Sequence, residues 1–168
     1  MKKLRLLYTD RCHRNCEMCC NKKIDLTKLP IFNLNTTKEY SEINITGGEP
    51  LLYPNGVDYL CIMLKELKYD IKIYLYTALT ENWYNQHFNL LHIIDGLTIT
   101  IHDQEAAEEF VILEKKLREY TNGYKGLSMR LNVFEGITME YPEGYIVKDN
   151  IAWLEDCPVP SDEVFMTL

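Results

Sequence analysis

At 168 residues the chain has room for about one domain, taken here as a single unit over residues 1–168. Hydrophobic residues make up 46% and charged residues 26%, as in soluble globular proteins, which excludes collagen-like, disordered and multi-span membrane classes. The 18 Lys+Arg against 25 Asp+Glu leave a net charge of −7, which excludes a chain whose main task is to coat nucleic acid phosphates.

That total hides a split. Residues 1–38 hold 9 basic and 3 acidic side chains, while residues 39–168 hold 9 basic and 22 acidic, so the first quarter is set up to face something negative. The N-terminus from Met1 to Tyr8 has too short an apolar run for a secretory signal. No stretch approaches the roughly 20 apolar residues of a membrane span, so no membrane partner is expected. The simplest localisation is cytoplasmic, a reducing setting in which clustered thiols serve as metal ligands or redox groups more often than as structural disulfides.

In chain order, Leu4 to Thr9 reads as a short buried strand, followed at once by a cysteine cluster. Ile43 to Thr46 is a second strand, ended by Gly47-Gly48. Val57, Leu60, Cys61, Leu64 and Leu67 recur at helical spacing. Ile71 to Tyr76 reads as a third strand, and Thr80 as the N-cap of a helix through about Leu91. Leu97 to Ile101 is a fourth strand. Asp103 caps a long helix whose stripe is Ala106, Ala107, Phe110, Val111, Leu113 and Leu117. The turn-rich segment from Asn122 to Gly126 leads to a fifth strand at about Leu127 to Val133, and Tyr145 to Lys148 is a candidate sixth.

Strands alternating with helices indicate a parallel sheet. Leu97, Ile99 and Ile101 alternate with Thr98, Thr100 and His102, and Met129, Leu131 and Val133 with Ser128, Arg130 and Asn132. Successive side chains on a strand point to opposite faces, so one face is apolar and takes the helices. The other is polar, joined by Asn44, Thr46, Tyr74 and Tyr76. A sheet covered on both faces reads as near-continuous apolar runs. The expected fold is therefore α/β, a partial (βα) barrel of about five to six parallel strands with helices on the outer face and a polar lumen.

The chemistry sits in the segment Thr9 to Cys20. Thiolates at Cys12, Cys16 and Cys19 can converge on one soft metal centre when a loop runs into a helical turn. Taken alone, the segment is also open to zinc held by these three with Cys20 or His13, or to a local disulfide. Zinc sites usually pair two CxxC-type knuckles, and no second knuckle exists; Cys61 and Cys157 are isolated. Gly47-Gly48-Glu49-Pro50 follows the second strand directly, where two glycines imply a sharp turn or a close backbone approach. Both loops leave the C-terminal ends of adjacent parallel strands, the end at which barrel folds place active sites.

In CxxxCxxC at Cys12, Cys16 and Cys19, GGEP at Gly47 to Pro50 and the opening Thr9-x-Arg11-Cys12, the sequence resembles the radical S-adenosylmethionine (SAM) superfamily. The resemblance implies a 4Fe-4S cluster on the three cysteines, its fourth iron open to the amino and carboxylate groups of SAM. One-electron reduction would cleave SAM, and a 5′-deoxyadenosyl radical would take hydrogen from the substrate. Gly47 and Gly48 would meet the methionine amino group through the backbone, Glu49 and Pro50 would shape that turn, and Met18 would lie beside adenine. Thr77, His102, Asp103 and Arg130 occupy places where such proteins contact the ribose and carboxylate of the cofactor. Arg130 suits a carboxylate or, equally, a structural ion pair in the lumen. Arg11, Arg14, Lys22 and Lys23 are either a solvated basic loop, support for an anionic cluster, or a docking site for an acidic reductant such as flavodoxin.

Cys20, Cys157, Trp83 and Trp153 are expected to pack structurally, and His87 and His92 to lie at the surface or its boundary. With no further cysteine-rich region, the resemblance implies a minimal oxidoreductase core. It would act on a small-molecule or short-peptide substrate in the polar lumen, or activate a large glycyl radical enzyme. A non-catalytic iron–sulfur or zinc module is the alternative from another class.

Overall fold

The computed structural model describes residues 2–80, 88–154 and 158–168. Its strands are β1 (Lys2–Thr9), β2 (Tyr40–Gly47), β3 (Lys72–Thr77), β4 (Gly96–Ile101), β5 (Ser128–Phe134), β6 (Tyr145–Ile151) and β7 (Glu163–Thr167). They form one sheet in the order β6-β5-β4-β3-β2-β1-β7, with every neighbouring pair parallel. Helices are α1 (Cys20–Lys23), α2 (Pro54–Leu67) and α3 (Gln104–Tyr120). The two edges, β6 and β7, are not paired to each other, so the βα barrel is partial.

The alternating strand pattern sorts as its period requires. Leu6, Ile43, Ile45, Ile73, Leu75, Leu97, Ile99, Leu131 and Val133 are fully buried or nearly so, and share one core with Val57, Leu60, Cys61 and Leu64 of α2 and Phe110, Leu113 and Leu117 of α3. Each such side chain removed from water contributes roughly 1.5–3 kcal/mol before entropy is charged. Asp103 caps α3, its carboxylate accepting from Ala106 N–H at 2.9 Å. Below the sheet, Asp95 ties β3 to α2 by accepting from Lys65, Lys72 and the Ile73 N–H. Burial works against that charge, but the two ammonium groups outweigh it and hold the carboxyl below its ordinary range.

Seven strands stand where five to six were expected. The addition is β7, which runs beside β1 with Lys3 opposite Glu163 and Leu7 opposite Thr167. Arg5 donates to Glu163 at 2.7 Å, pinning that edge. β1 begins two residues earlier than the apolar run, and β6 extends three residues further. The helix expected from Thr80 falls largely on residues 81–87, outside the described residues, as do Trp83, His87 and Cys157; Phe88–His92 is a 3-10 turn. Among the described residues no helix is long and apolar enough to cross a membrane.

Candidate active site

The cysteine loop leaves β1 and the glycine loop leaves β2, and their backbones are bonded directly to each other. Gly48 N–H donates to the Thr9 carbonyl at 2.6 Å and Glu49 N–H to the Arg11 carbonyl at 2.7 Å. Only glycine permits this approach. At Gly47, with φ +147°, a Cβ would lie 2.4 Å from the Thr9 carbonyl oxygen; at Gly48 it would lie 2.0 Å from that of Arg11. The N–H groups of the turn are thus used to seat the cysteine loop. An incoming amino group, itself a donor, would need the carbonyl side of this turn.

Glu49 is fully buried. Its carboxylate accepts from Thr77 Oγ1 at 2.7 Å, Ala78 N–H at 2.7 Å and Leu51 N–H at 3.0 Å, clamping the turn to the end of β3. Burial pushes its pKa up, opposed by these donors. Pro50 is buried at the first position of the following 3-10 turn. Thr77 is buried too, and its hydroxyl, besides bonding Glu49, accepts from Leu79 N–H at 3.0 Å. The structure therefore gives Thr77 a seating role within this clamp.

Cys12, Cys16 and Cys19 are free thiols at least partly open to solvent, whereas Cys61 is buried in the core. Cys20 is disulfide-bonded and does not join them as a fourth thiol. Burial raises the pKa of Cys12 and Cys16, and the neighbouring thiols raise both further, which places the sulfurs within electrostatic reach of one another. Among the described residues, however, no three of His, Cys, Asp and Glu are gathered tightly enough to hold a metal ion. The donor chemistry fits an iron–sulfur cluster: three soft ligands on one short loop, anchored at both Thr9 and Arg11 by the glycine turn. The cysteine loop thus carries three thiols without presenting a finished cage. Met18, half-buried, lies between the second and third of them.

Arg14 and Asp103 form an ion pair linking the cysteine loop to the N-cap of α3. The guanidinium holds the Asp103 carboxyl below its usual range. Arg14 N–H donates to Cys12 Sγ at 3.4 Å, and the Arg14 charge lowers the Cys16 pKa against the other contributions. His102, one residue before Asp103, stacks on Phe134 at 4.8 Å between centroids and on Trp153 at 5.4 Å. Burial, with Arg14 nearby, pushes its pKa down to about 4, so it is neutral at pH 7. Trp153 is thus part of an aromatic stack at the C-terminal ends of β4 and β5 rather than of the apolar core. Nothing in the local pattern around it announces this, because its partners lie on other strands.

On the polar face, Arg130 lies over the Tyr74 ring at 4.8 Å, and among the described residues it pairs with no acid. The ring has room because Gly96 stands opposite it on β4. Of the buried side-chain atoms without a hydrogen-bond partner among the described residues, Asn44 Oδ1, Thr98 Oγ1, His102 Nδ1 and Arg14 Nε lie on this face and its rim. Buried polar atoms are satisfied in the great majority of cases, so these four leave hydrogen-bonding capacity open on this face. A cavity of 110 Å³ opens beside His13, Arg14, Thr80 and Glu109. A larger one of 710 Å³ lies by Tyr8, Tyr53 and the first turn of α2, with none of the three cysteines lining it.

No protein-family model matches the sequence. A relative from the Thermoplasmatales archaeon (strain ISO4-H5), named S-adenosylmethionine-dependent nucleotide dehydratase, is 26% identical over 159 residues, 87% of this chain and 52% of the relative. This chain spans about half the length of that curated relative. Among solved structures, BtrN in complex with AdoMet and 2-DOIA superposes with a TM-score of 0.49 at 18% identity, covering 77% of this chain and 56% of BtrN.

Proposed function

We propose that this chain is the core of a radical SAM enzyme acting on a small polar substrate, with a nucleotide as the favoured class. The observation that carries the reading is the backbone seating of the three-thiol loop on the Gly-Gly-Glu turn at the C-terminal ends of adjacent parallel strands. The name of the archaeal relative supports both SAM dependence and the nucleotide class.

Cys12, Cys16 and Cys19 would hold a 4Fe-4S cluster. When bound and reduced, that group supplies the electron that cleaves SAM and so starts hydrogen abstraction. This chain's own residues do the rest. Glu49 and the paired glycines fix the loop that presents the thiols. Arg130 offers a cation, and Thr98 and Asn44 offer unsatisfied polar atoms, on the face where substrate would lie. The His102–Phe134–Trp153 stack supplies a flat apolar wall at the rim. Exposed Arg11, Lys22 and Lys23 would favour an acidic reductant.

Anaerobic reconstitution should load about four irons per chain, as a 4Fe-4S cluster requires. With dithionite the loaded protein should convert SAM to 5′-deoxyadenosine, faster when the right nucleotide is added. Cys16→Ala should abolish iron loading and cleavage together. Bound zinc with no cleavage would overturn the reading.

A further inference from the structure

Beyond residue 38 acidic side chains outnumber basic ones 22 to 9. Two successive rows across the polar face of β4, β5 and β6 nevertheless hold no acid: Thr98–Arg130–Ile146 and Thr100–Asn132–Lys148. Both cations in these rows stand without an acidic partner among the described residues; Arg130 rests on the Tyr74 ring and Lys148 is exposed. They lie on adjacent strands two residues apart in register, about 8 Å between α-carbons on ordinary strand spacing and rise. Two positive charges at that range repel unless an anion comes between them. Arg130 reaches its ring on β3 from β5, so its side chain crosses the strand that carries Thr98, whose hydroxyl is buried, at 2% exposure, without a hydrogen-bond partner among the described residues. The other half of the same face is closed by its own charges. There Arg5 donates to Glu163 at 2.7 Å, and Asn44 Nδ2 donates to Glu163 at 3.3 Å and to Glu42 at 3.2 Å.

We propose that Arg130 and Lys148 seat the phosphate of a nucleotide substrate, with the Thr98 hydroxyl donating to the same group. This rests on the reading above of the chain as an enzyme acting on a nucleotide. A guanidinium offers paired N–H donors that match two phosphate oxygens, and an ammonium adds a compact charge. Together they balance the charge of about −1.5 to −2 that a phosphate monoester carries at pH 7. Asn132, between the two cations in register, comes two residues before Phe134 of the aromatic stack, so the phosphate sits roughly 7 Å below the rim. The thiol loop leaves β1, which stands four strands from β5 in the sheet. The phosphate is therefore held away from the thiols, and the rest of the nucleotide is turned towards them.

The test is calorimetric titration of the protein, before and after iron reconstitution, with the four common ribonucleoside 5′-monophosphates and 5′-triphosphates and their uncharged nucleosides. At least one nucleotide should bind, with its nucleoside about tenfold weaker or worse. Arg130→Gln and Lys148→Gln should each weaken that nucleotide about tenfold, the loss expected for one charge-assisted contact, and leave the nucleoside unchanged. Arg130→Lys keeps the charge and should lose less. Circular dichroism establishes that each variant is folded; if Arg130→Gln is not, the exposed Lys148→Gln decides. Nucleotide and nucleoside binding equally, no nucleotide binding, or an unchanged nucleotide affinity in a folded Gln variant overturns the proposal. So does a variant that loses affinity for SAM and keeps it for the nucleotide, since the cation then serves the SAM carboxylate. Wild-type protein that binds the nucleotide as expected but loads no iron overturns the iron–sulfur reading and leaves the phosphate site standing.

Discussion

At Gly48 the constraint is steric and local. An added Cβ would clash with a carbonyl oxygen of the backbone, 2.0 Å from where it would sit, and a backbone atom cannot swing aside as a side chain can. Gly48→Ala should therefore force the two loops apart. The expected cost is about 1–3 kcal/mol of stability, as for overpacking in a tight site, with a loss of iron after reconstitution. Urea denaturation and iron content measure the two effects. Both glycines were legible in the sequence as a close-approach signal, but the group they approach was not. Thr9 and Arg11 are more than 35 residues away along the chain, and only the pairing of β1 with β2 brings them under the turn. Glu49 illustrates the same limit. Its place in a turn could be read from the glycines and proline around it, whereas its burial against Thr77 and Ala78 comes from the β2–β3 register.

Between elements, the Tyr74–Gly96–Arg130 arrangement spans β3, β4 and β5. A Cβ at Gly96 would stand 2.6 Å from Tyr74 Cδ1 and 2.8 Å from the Ser128 carbonyl oxygen. Gly96→Ala should displace the ring and take away the platform under Arg130. The loss combines about 0.5–1 kcal/mol for the cation–π contact with about 1–3 kcal/mol for overpacking. It should be visible in urea denaturation, with Tyr74→Phe costing much less because the ring remains. The strands themselves were recognisable because one-sided burial writes a period of two into β4 and β5. β7 was not, since five residues between a proline-rich stretch and the end of the chain carry too little pattern. Its pairing depends on β1 and on the Arg5–Glu163 ion pair, 158 positions apart in sequence. Arg130 was correctly placed on the polar face, but an aromatic ring rather than an acid meets it.

For the molecule as a whole, His102 links the site to stability. Its pKa of about 4 in the folded state lies below the ordinary 6.5, so between those values the unfolded chain binds more protons than the folded one. The contribution is complete above about pH 6.5 and is lost as pH falls towards 4. Between pH 7 and pH 4.5 it amounts to about 2–3 kcal/mol. His102→Gln should remove that component, leaving a shallower acid slope in urea denaturation at the two pH values. Equal slopes for both proteins would show that the aromatic stack does not keep His102 neutral.

The sequence by itself determined the chemistry on offer and the order of the parts: three thiols spaced on one loop, two glycines before a glutamate, and strands polar on one side. Residue type and short-range spacing decide these, and both survive in a linear string. Only the tertiary structure decided the rest: that the glycine turn seats the thiol loop, that Asp103 both caps α3 and grips Arg14, and that His102 stacks with Phe134 and Trp153. Those contacts join residues tens of positions apart, and their energies exist only once the parallel sheet has set which strand ends stand side by side.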